Sequence, residues 1–251
     1  MKPIICVIPA RYGSTRFPGK PLADICGKTL IQRVWERAKK AKLVDRVVIA
    51  TDDKRIFDAA VGFGAEVAMT SRTCKTGTDR IAQAVRKINC GIVVNLQGDE
   101  PFIDPVLIDK TIQALIKDQT AVVSTPVCLP GRSEDLSDIN SAKVVFDRNF
   151  HALYFSRSVI PNTSRAARNQ RGENNLYKHI GLYVYRKDFL NRFVKLSQTP
   201  LEKSEKLEQL RILENGYKIR VVVVKTEGGA VAVDVPGDVK KAERLIRGGF
   251  L

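Results

Sequence analysis

The sequence lacks the signatures of several protein classes. It has five cysteines but no CxxC pair, which argues against a zinc site and against a disulfide framework. No apolar run approaches the roughly 18 residues that a membrane-spanning helix needs, and the first residues carry no secretory signal. We therefore expect a protein of the reducing cytoplasm, without membrane insertion.

The sequence has few acidic residues relative to its basic ones. It carries 42 lysines and arginines against 27 aspartates and glutamates, a formal net charge of +15. This excess favours an anionic partner such as a nucleic acid, a membrane surface or a phosphorylated substrate. The basic residues spread along the whole chain, and no RNP motif, zinc finger or basic zipper accompanies them. A basic nucleic-acid-binding protein is therefore a remote alternative, and we expect no nucleic acid as partner.

The order of apolar segments predicts an α/β fold. The expected strands are residues 4–8, 45–53, 65–69, 91–97 and 120–129. Amphipathic segments alternate with them, among them the predicted helices 30–42 and 77–88. This alternation indicates a mostly parallel sheet covered by helices on both faces. Ligands of such sheets bind beyond the carboxyl ends of the strands, and these rim segments are residues 9–20, 51–53, 69–79 and 97–101.

The pattern changes after about residue 140. Residues 142–157 predict a hairpin, residues 161–175 a loop, and residues 176–186 one long strand. We interpret about 141–190 as a β-rich lobe added to a single domain that spans 1–251. A further helix is expected behind the N-cap Thr199, ending at about Glu214.

A basic stretch with two glycines follows the first strand. Five residues separate Gly13 from Gly19 and Pro21 follows the lysine, so the stretch is neither a P-loop nor a G-x-G-x-x-G fingerprint. Backbone N–H groups combined with cations suit a polyphosphate. The candidate ligands are the backbone of Gly13 and Ser14 and the side chains of Arg11, Arg16 and Lys20.

Two aspartates follow apolar segments in distant parts of the chain. Asp99 comes after strand 91–97 and the turn-forming Gly98, and Asp234 precedes a helix that Pro236 begins. In one interpretation both hold a single Mg²⁺ ion, which prefers carboxylate and phosphate oxygens together. In the other, Asp99 merely forms a turn and Asp234 merely caps a helix.

The added lobe and the helix after it offer polar side chains for a second ligand. Alternation along 176–186 puts a histidine and tyrosines on one face around Gly181, which predicts a shallow pocket that donates hydrogen bonds. Each of these residues also has an ordinary structural interpretation, as a core histidine or as surface side chains. The candidates are Arg157, His179, Tyr183, Glu208 and Gln209.

Several motifs together resemble one family, the CMP-KDO synthetases or 3-deoxy-manno-octulosonate cytidylyltransferases. The segments, in order, are “IPARYGSTRFPGKPL”, “TSRTCKTGTDR”, “VVNLQGDEPFI”, “ALYFSRSVIP”, “YKHIGLYVYR” and “LEKSEKLEQLRILENG”. The resemblance runs from Ile5 to about Arg247, and “QGDEP” with “KHIGLY” is its most specific part. CMP-sialate synthetases and other sugar nucleotidyltransferases share the first segment more loosely and are the alternative.

The resemblance implies a nucleotidyltransferase-like fold and transfer of a cytidylyl group from CTP to 3-deoxy-D-manno-octulosonate (KDO), with Mg²⁺ as cofactor. It also implies a cytoplasmic homodimer, paired through the added lobe, that supplies lipopolysaccharide biosynthesis. The implied catalytic residues are Arg11, Lys20 and Asp99, and the implied metal ligands are Asp99 and Asp234. The implied nucleotide-binding residues are Ala10, Arg11, Gly13, Ser14, Lys20, Ser71 and Arg72. The implied KDO-binding residues are Arg72, Gln97, Arg157, His179, Tyr183, Glu208 and Gln209.

The last motif departs from the family pattern. That pattern reads Val-Asp-Thr-Pro-Glu-Asp, whereas this chain reads “VDVPGD”, with Val235 and Gly237 in place of the Thr and the Glu. Asp234 is kept, so we expect the metal ligand to remain and the support around it to be weaker.

Overall fold

The computed structural model describes residues 2–13, 16–130, 138–139, 141–162, 176–224 and 232–249. The chain forms two compact units. The first contains Met1–Lys110, Val184–Val194 and Ala230–Leu251, and the second contains Thr111–Tyr183 and Lys195–Gly229. Helix α4 (Pro105–Lys117) and strand β11 (Leu182–Arg186) each contribute residues to both units.

The first unit is built on a parallel sheet. Its strands in chain order are β1 (Ile4–Ala10), β4 (Arg46–Thr51), β5 (Glu66–Met69) and β6 (Ile92–Leu96), with β2 (Asp24–Ile25) and β3 (Lys28–Thr29) as a separate two-stranded ribbon. Strand β1 pairs in parallel with both β4 and β6, and β5 pairs in parallel with β4. Every residue of β6 is buried, as expected for a parallel strand covered on both sides.

Helices α1 (Leu30–Ala38), α2 (Lys54–Gly62), α3 (Gly77–Ala84), α5 (Lys187–Phe193) and α8 (Pro236–Arg247) complete the first unit. Helix α1 begins because the Thr29 hydroxyl accepts a hydrogen bond from the Gln32 backbone N–H at 3.3 Å. Helix α3 begins with a reciprocal capping box between Thr76 and Asp79. The predicted α/β fold with a mostly parallel sheet is confirmed here, although α1 and α3 end four residues before the predicted ends.

The second unit contains a mixed sheet. Its strands are β7 (Ala121–Cys128), β8 (Lys143–Phe146), β9 (Ala152–Ser156), β10 (Tyr177–His179) and β12 (Lys218–Val224), and its helices are α6 (Pro200–Glu205) and α7 (Leu210–Glu214). Strand β12 pairs in parallel with β7, whereas β10 pairs antiparallel with β7 and β8. The predicted hairpin is present as antiparallel β8 and β9.

Two predicted elements of the second half are interrupted. The expected long strand 176–186 is two strands, because the Leu182 N–H turns back to the Ile180 carbonyl at 2.7 Å and breaks the alternation at Gly181. The expected helix up to Glu214 is also two helices, because Lys206 adopts a left-handed backbone with φ of 54°. Of the predicted loop 161–175, residues 163–175 lie outside the described part of the chain.

In the part of the chain that the structure describes, every helix is too short or too polar to cross a membrane.

Candidate active site

The first unit contains a cavity of about 370 Å³ beyond the carboxyl ends of β1 and β6. Three of the rim segments that the sequence analysis identified contribute to it. Its lining residues are Pro9, Ala10, Arg11, Arg16, Lys20, Pro21, Cys74, Lys75, Thr76, Gly77, Arg80, Gln97, Gly98, Asp99 and Asp234. The cavity therefore combines several cations, two carboxylates and the first turn of α3.

The two aspartates proposed as metal ligands lie close together at this cavity. The Lys20 Nζ atom lies 2.8 Å from the Asp99 Oδ2 atom and 3.2 Å from the Asp234 Oδ1 atom. Both carboxylates are partly exposed, with 26% and 34% of the side-chain surface accessible, whereas Lys20 retains 16%. Because both oxygens contact one nitrogen, they are close enough to bind a single cation.

A second cation, from the basic stretch that follows β1, lies close to one of these carboxylates. The Arg16 Nη2 atom lies 3.2 Å from the same Asp234 Oδ1 atom, and the arginine side chain is 56% exposed. Such an exposed pair contributes little to stability. Arg16 is therefore available to a ligand that enters the cavity.

The backbone around Asp234 is supported by the next acidic residue. The Asp238 Oδ2 atom accepts hydrogen bonds from the N–H groups of Asp234 at 3.0 Å and of Val235 at 3.1 Å. The Val233 N–H donates to the Asp99 carbonyl at 2.9 Å, which joins the two acidic segments directly. Asp238 thus supplies support that the apolar Val235 side chain, at the N-cap of α8, cannot give.

In the basic stretch that follows β1, Tyr12 lies next to Gly19. The Gly19 N–H donates to the Tyr12 carbonyl at 2.9 Å, and Gly19 has a left-handed φ of 72°. A Cβ atom on Gly19 would lie 3.1 Å from the Tyr12 ring, so both the backbone conformation and the available space favour glycine here. The Arg55 guanidinium stacks 3.3 Å from the centroid of the same ring, and its Nη2 atom lies 2.7 Å from the Asp53 Oδ2 atom.

Two cavity cations were missed in the analysis of the sequence. Arg80 is buried, donates to the Asp52 carboxylate at 2.8 Å and binds the Thr70 hydroxyl at 2.5 Å. Lys75 lines the cavity immediately before α3 and is exposed. The available signal was the segment “CKTGTDR”, in which a lysine precedes a strong helix start at the rim of the sheet.

The remaining nucleotide-site candidates are placed as follows. Ala10, Arg11 and Gln97 line the cavity. Ser71 and Arg72 precede the lining segment 74–77 and are not among the described lining residues. The Ser71 N–H donates to the Gln83 side chain at 2.9 Å. Gly13 is exposed and also lies outside the lining set, and Ser14 lies outside the described residues.

In the second unit, His179 lies against Thr125 and two aromatic rings. The Thr125 hydroxyl donates to the Leu182 carbonyl at 2.7 Å, so it must accept from the His179 Nε2–H at 2.8 Å. The rings of Phe155 and Tyr183 lie 5.6 and 5.0 Å from the imidazole. Burial lowers the pKa of His179 to about 4, so the ring is neutral at pH 7 and retains its Nδ1 atom as an acceptor.

Arg157 and the pair Glu208–Gln209 are also positioned within the second unit. The Arg157 guanidinium donates to the backbone carbonyls of Glu205 at 3.0 Å and Ile139 at 2.7 Å. Gln209 is buried at the start of α7, and Glu208 is half-buried beside it. Both therefore lie in the short connection between α6 and α7, where the sequence pattern predicted a continuous helix.

The donor set at the cavity fits Mg²⁺. This ion is usually bound by one or two carboxylates, and substrate phosphates and waters complete its six ligands. Asp99 and Asp234 supply two such carboxylates beside several cations suited to phosphates. Groups of three or more His, Cys, Asp or Glu side chains that could hold a metal without a substrate are absent from the described residues.

Comparison with known proteins adds independent information. The cytidylyltransferase family model matches residues 5–219. The 3-deoxy-manno-octulosonate cytidylyltransferase of Syntrophotalea carbinolica is 50% identical over 249 residues, which cover 98% of this chain and 99% of that protein. The enzyme of the same name from Geobacter metallireducens is 49% identical over 254 residues, with 97% and 98% covered.

A solved structure agrees with these relatives. CMP:2-keto-3-deoxy-manno-octonic acid synthetase, solved in complex with CTP, superposes with a TM-score of 0.90 at 38% sequence identity. The alignment covers 98% of this chain and 99% of that one.

Proposed function

The chain belongs to the cytidylyltransferase family, and on this premise we propose that it transfers the cytidylyl group of CTP to KDO, giving CMP-KDO and pyrophosphate. The observation that supports this most strongly is the placement of Arg11, Lys20, Asp99 and Asp234 around one cavity. Relatives that share about half of their residues with the chain carry the name of this reaction.

The cavity supplies what a nucleotidyl transfer needs. The anomeric hydroxyl oxygen of KDO forms a bond to the α-phosphorus of CTP, the bond from that phosphorus to the bridging oxygen breaks, and pyrophosphate leaves. Catalysis of such a step consists mainly of positioning and of offsetting negative charge. Arg11 and Lys20 bind the triphosphate and offset the charge that builds up on the leaving pyrophosphate.

The carboxylates have a separate role. Asp99 and Asp234 would hold Mg²⁺, which when bound neutralises phosphate charge and lowers the pKa of the sugar hydroxyl. Asp238 positions Asp234 by accepting from its backbone N–H at 3.0 Å. Val235 stands where the family pattern has a threonine, but Asp238 still supports the backbone of this segment.

The residues proposed to recognise KDO include Gln97 of the cavity and a group in the second unit. A sugar acid presents hydroxyl groups and a carboxylate, so its site needs both acceptors and donors. The neutral His179 offers its Nδ1 atom as an acceptor, and Tyr183 beside it carries a phenolic hydroxyl. Glu208 and Gln209 are the further proposed contacts to the sugar hydroxyls, and Arg72 and Arg157 are the proposed cationic partners of its carboxylate.

The wider setting follows from the same family assignment. We propose that the chain acts as a cytoplasmic homodimer and that its product is used in lipopolysaccharide biosynthesis. Sedimentation of the purified protein at micromolar concentration tests the dimer, and a monomeric protein that is fully active would contradict it.

The test of the reaction is pyrophosphate release by the purified chain with CTP and Mg²⁺. Release is expected on addition of KDO and not with sialate, and replacement of CTP by UTP or ATP should abolish it. Release with sialate alone, or without any sugar, would contradict the proposed acceptor.

A matched pair of variants tests the role of the carboxylates. Asp99→Asn is expected to lose turnover by about 10²-fold or more while part of the CTP affinity remains. Asp104→Asn makes the same chemical change at the start of α4, where the Asp104 side chain accepts from the Val106 N–H and asparagine caps equally well. This control should retain full activity, and an active Asp99→Asn enzyme would exclude Asp99 as a required ligand.

A further inference from the structure

Lys20 is bound to both carboxylates that are proposed to hold the metal. Its ammonium lies 2.8 Å from the Asp99 carboxylate and 3.2 Å from the Asp234 carboxylate, and only 16% of its side chain is exposed. One lysine thus forms ion pairs with two acidic side chains, which stand 79 and 214 residues from it in the sequence.

The lysine therefore competes with a divalent cation for the same oxygen atoms. Two carboxylates that face one point repel each other unless a cation lies between them. The ammonium already provides that cation, and an ion that binds the same oxygen atom of each carboxylate competes with the Lys20 Nζ atom for them. A metal ion that binds these two oxygen atoms in the free protein must therefore displace the Lys20 ammonium from both, and Arg16 from the Asp234 oxygen as well.

The rest of the cavity indicates what draws the lysine away. Arg11, Arg16, Lys75 and Arg80 line the same cavity, so a triphosphate that enters it meets a strongly positive surface that includes Lys20. A triphosphate carries more negative charge than the two carboxylates together, so it competes with them for the ammonium. A bound nucleotide therefore both removes the lysine from the carboxylates and adds its own oxygens to the metal.

We propose that Lys20 is an internal counter-cation that keeps Asp99 and Asp234 from binding a divalent metal until the nucleotide's phosphates draw its ammonium away. This inference rests on the proposed function, since it takes the cavity to be the triphosphate site. Metal and nucleotide binding are then coupled, and by linkage each raises the affinity for the other.

The test measures binding of Mn²⁺, a paramagnetic probe for divalent cations, to the full chain without nucleotide. Lys20→Met is expected to bind Mn²⁺ at least about tenfold more tightly than the unsubstituted chain, because the competing ammonium is gone. Lys75→Met removes the same charge from the same cavity, but its side chain forms no described ion pair with either carboxylate. This control should change Mn²⁺ affinity by less than about threefold.

Several results would overturn the proposal. Equal or weaker Mn²⁺ binding by a folded Lys20→Met variant would show that the lysine does not compete. Equal gains in Lys20→Met and Lys75→Met would show an effect of general charge alone. If Lys20→Met does not fold, Lys20→Gln replaces it, with the same expected gain.

A measurement on the unsubstituted chain completes the test. Mg²⁺ alone should leave its melting temperature unchanged, whereas Mg²⁺ with CTP should raise it above the value with CTP alone. Equal stabilisation by Mg²⁺ with and without CTP would refute the proposed order. Pyrophosphate release in the presence of KDO is measured separately, so the chain can prove to be the proposed enzyme while this inference fails.

Discussion

Mild acid is expected to destabilise the protein through His179. The imidazole is surrounded by Phe155 and Tyr183, and its Nε2–H is held by the Thr125 hydroxyl. Burial lowers its pKa to about 4 in the folded chain, against an ordinary value of 6.5. As the pH falls, the unfolded chain takes up this proton before the folded chain does. The stability that the neutral ring contributes is therefore fully present above about pH 6.5 and is lost towards pH 4.

The size of the effect follows from these two pKa values. Between pH 7 and pH 5 the unfolded histidine becomes almost fully protonated, while the folded one stays mostly neutral. At about 1.4 kcal/mol per pKa unit, the loss over this interval is up to about 2 kcal/mol. That is a large part of the free energy of unfolding of an ordinary domain.

Denaturant unfolding followed by far-UV circular dichroism at pH 7 and pH 5 measures this loss. His179→Gln removes the titrating ring and keeps a donor for Thr125, so its stability should change much less between the two pH values. The chain has only one other histidine, His151, which lies 2.8 Å from Asp118. His151→Gln is therefore the matched control and should keep the steep dependence on pH. If His179→Gln loses as much stability as the unsubstituted chain, the neutral buried state of His179 is wrong.

Three further substitutions test the loop and the acidic segment. Gly19→Ala should raise KM for CTP, because the new Cβ atom displaces Tyr12. The control is Gly27→Ala, because Gly27 has a similar positive φ but a Cβ atom there would meet nothing within 4 Å. This control should cost about 1 kcal/mol of stability and leave KM unchanged. A rise in KM for both would contradict the role of the ring contact. Val235→Thr should stabilise the chain by about 0.5–1 kcal/mol in thermal unfolding, since a hydroxyl at this N-cap can accept from the third helical N–H. An unchanged melting temperature would show that this helix start needs no further cap. Lys20→Ala should cost about 2–4 kcal/mol in kcat/KM, and a loss confined to KDO affinity would contradict its proposed phosphate role.

The main features of the cavity were predictable from the sequence. Parallel strands place their carboxyl ends at one edge, so Arg11 after β1 and Asp99 after β6 had to lie near each other. The segment of Asp234 follows an apolar run and precedes a proline-started helix, a pattern that fits a metal ligand and a simple helix cap equally well. The structure brings these residues together at one cavity.

The details that sequence patterns missed depend on tertiary contacts. No local signal marks Lys206, a non-glycine residue with positive φ, as the end of α6. Beyond this break, the buried Arg211 binds Glu202 at 2.7 Å and links α7 to α6. Likewise, Arg80 belongs to the cavity because Asp52 and Thr70, from two other segments, hold its guanidinium in place.

The first unit is assembled from segments at both ends of the chain, and this order matters during translation. Lys20 and Asp99 belong to its first segment, whereas Asp234 belongs to Ala230–Leu251, after the whole of the second unit has been translated. A polypeptide still emerging from the ribosome therefore contains the cations proposed to bind phosphate long before Asp234 is added. Translation products that lack the last segment should accordingly be unable to transfer the cytidylyl group of CTP, and the site is complete only when that segment has been synthesised.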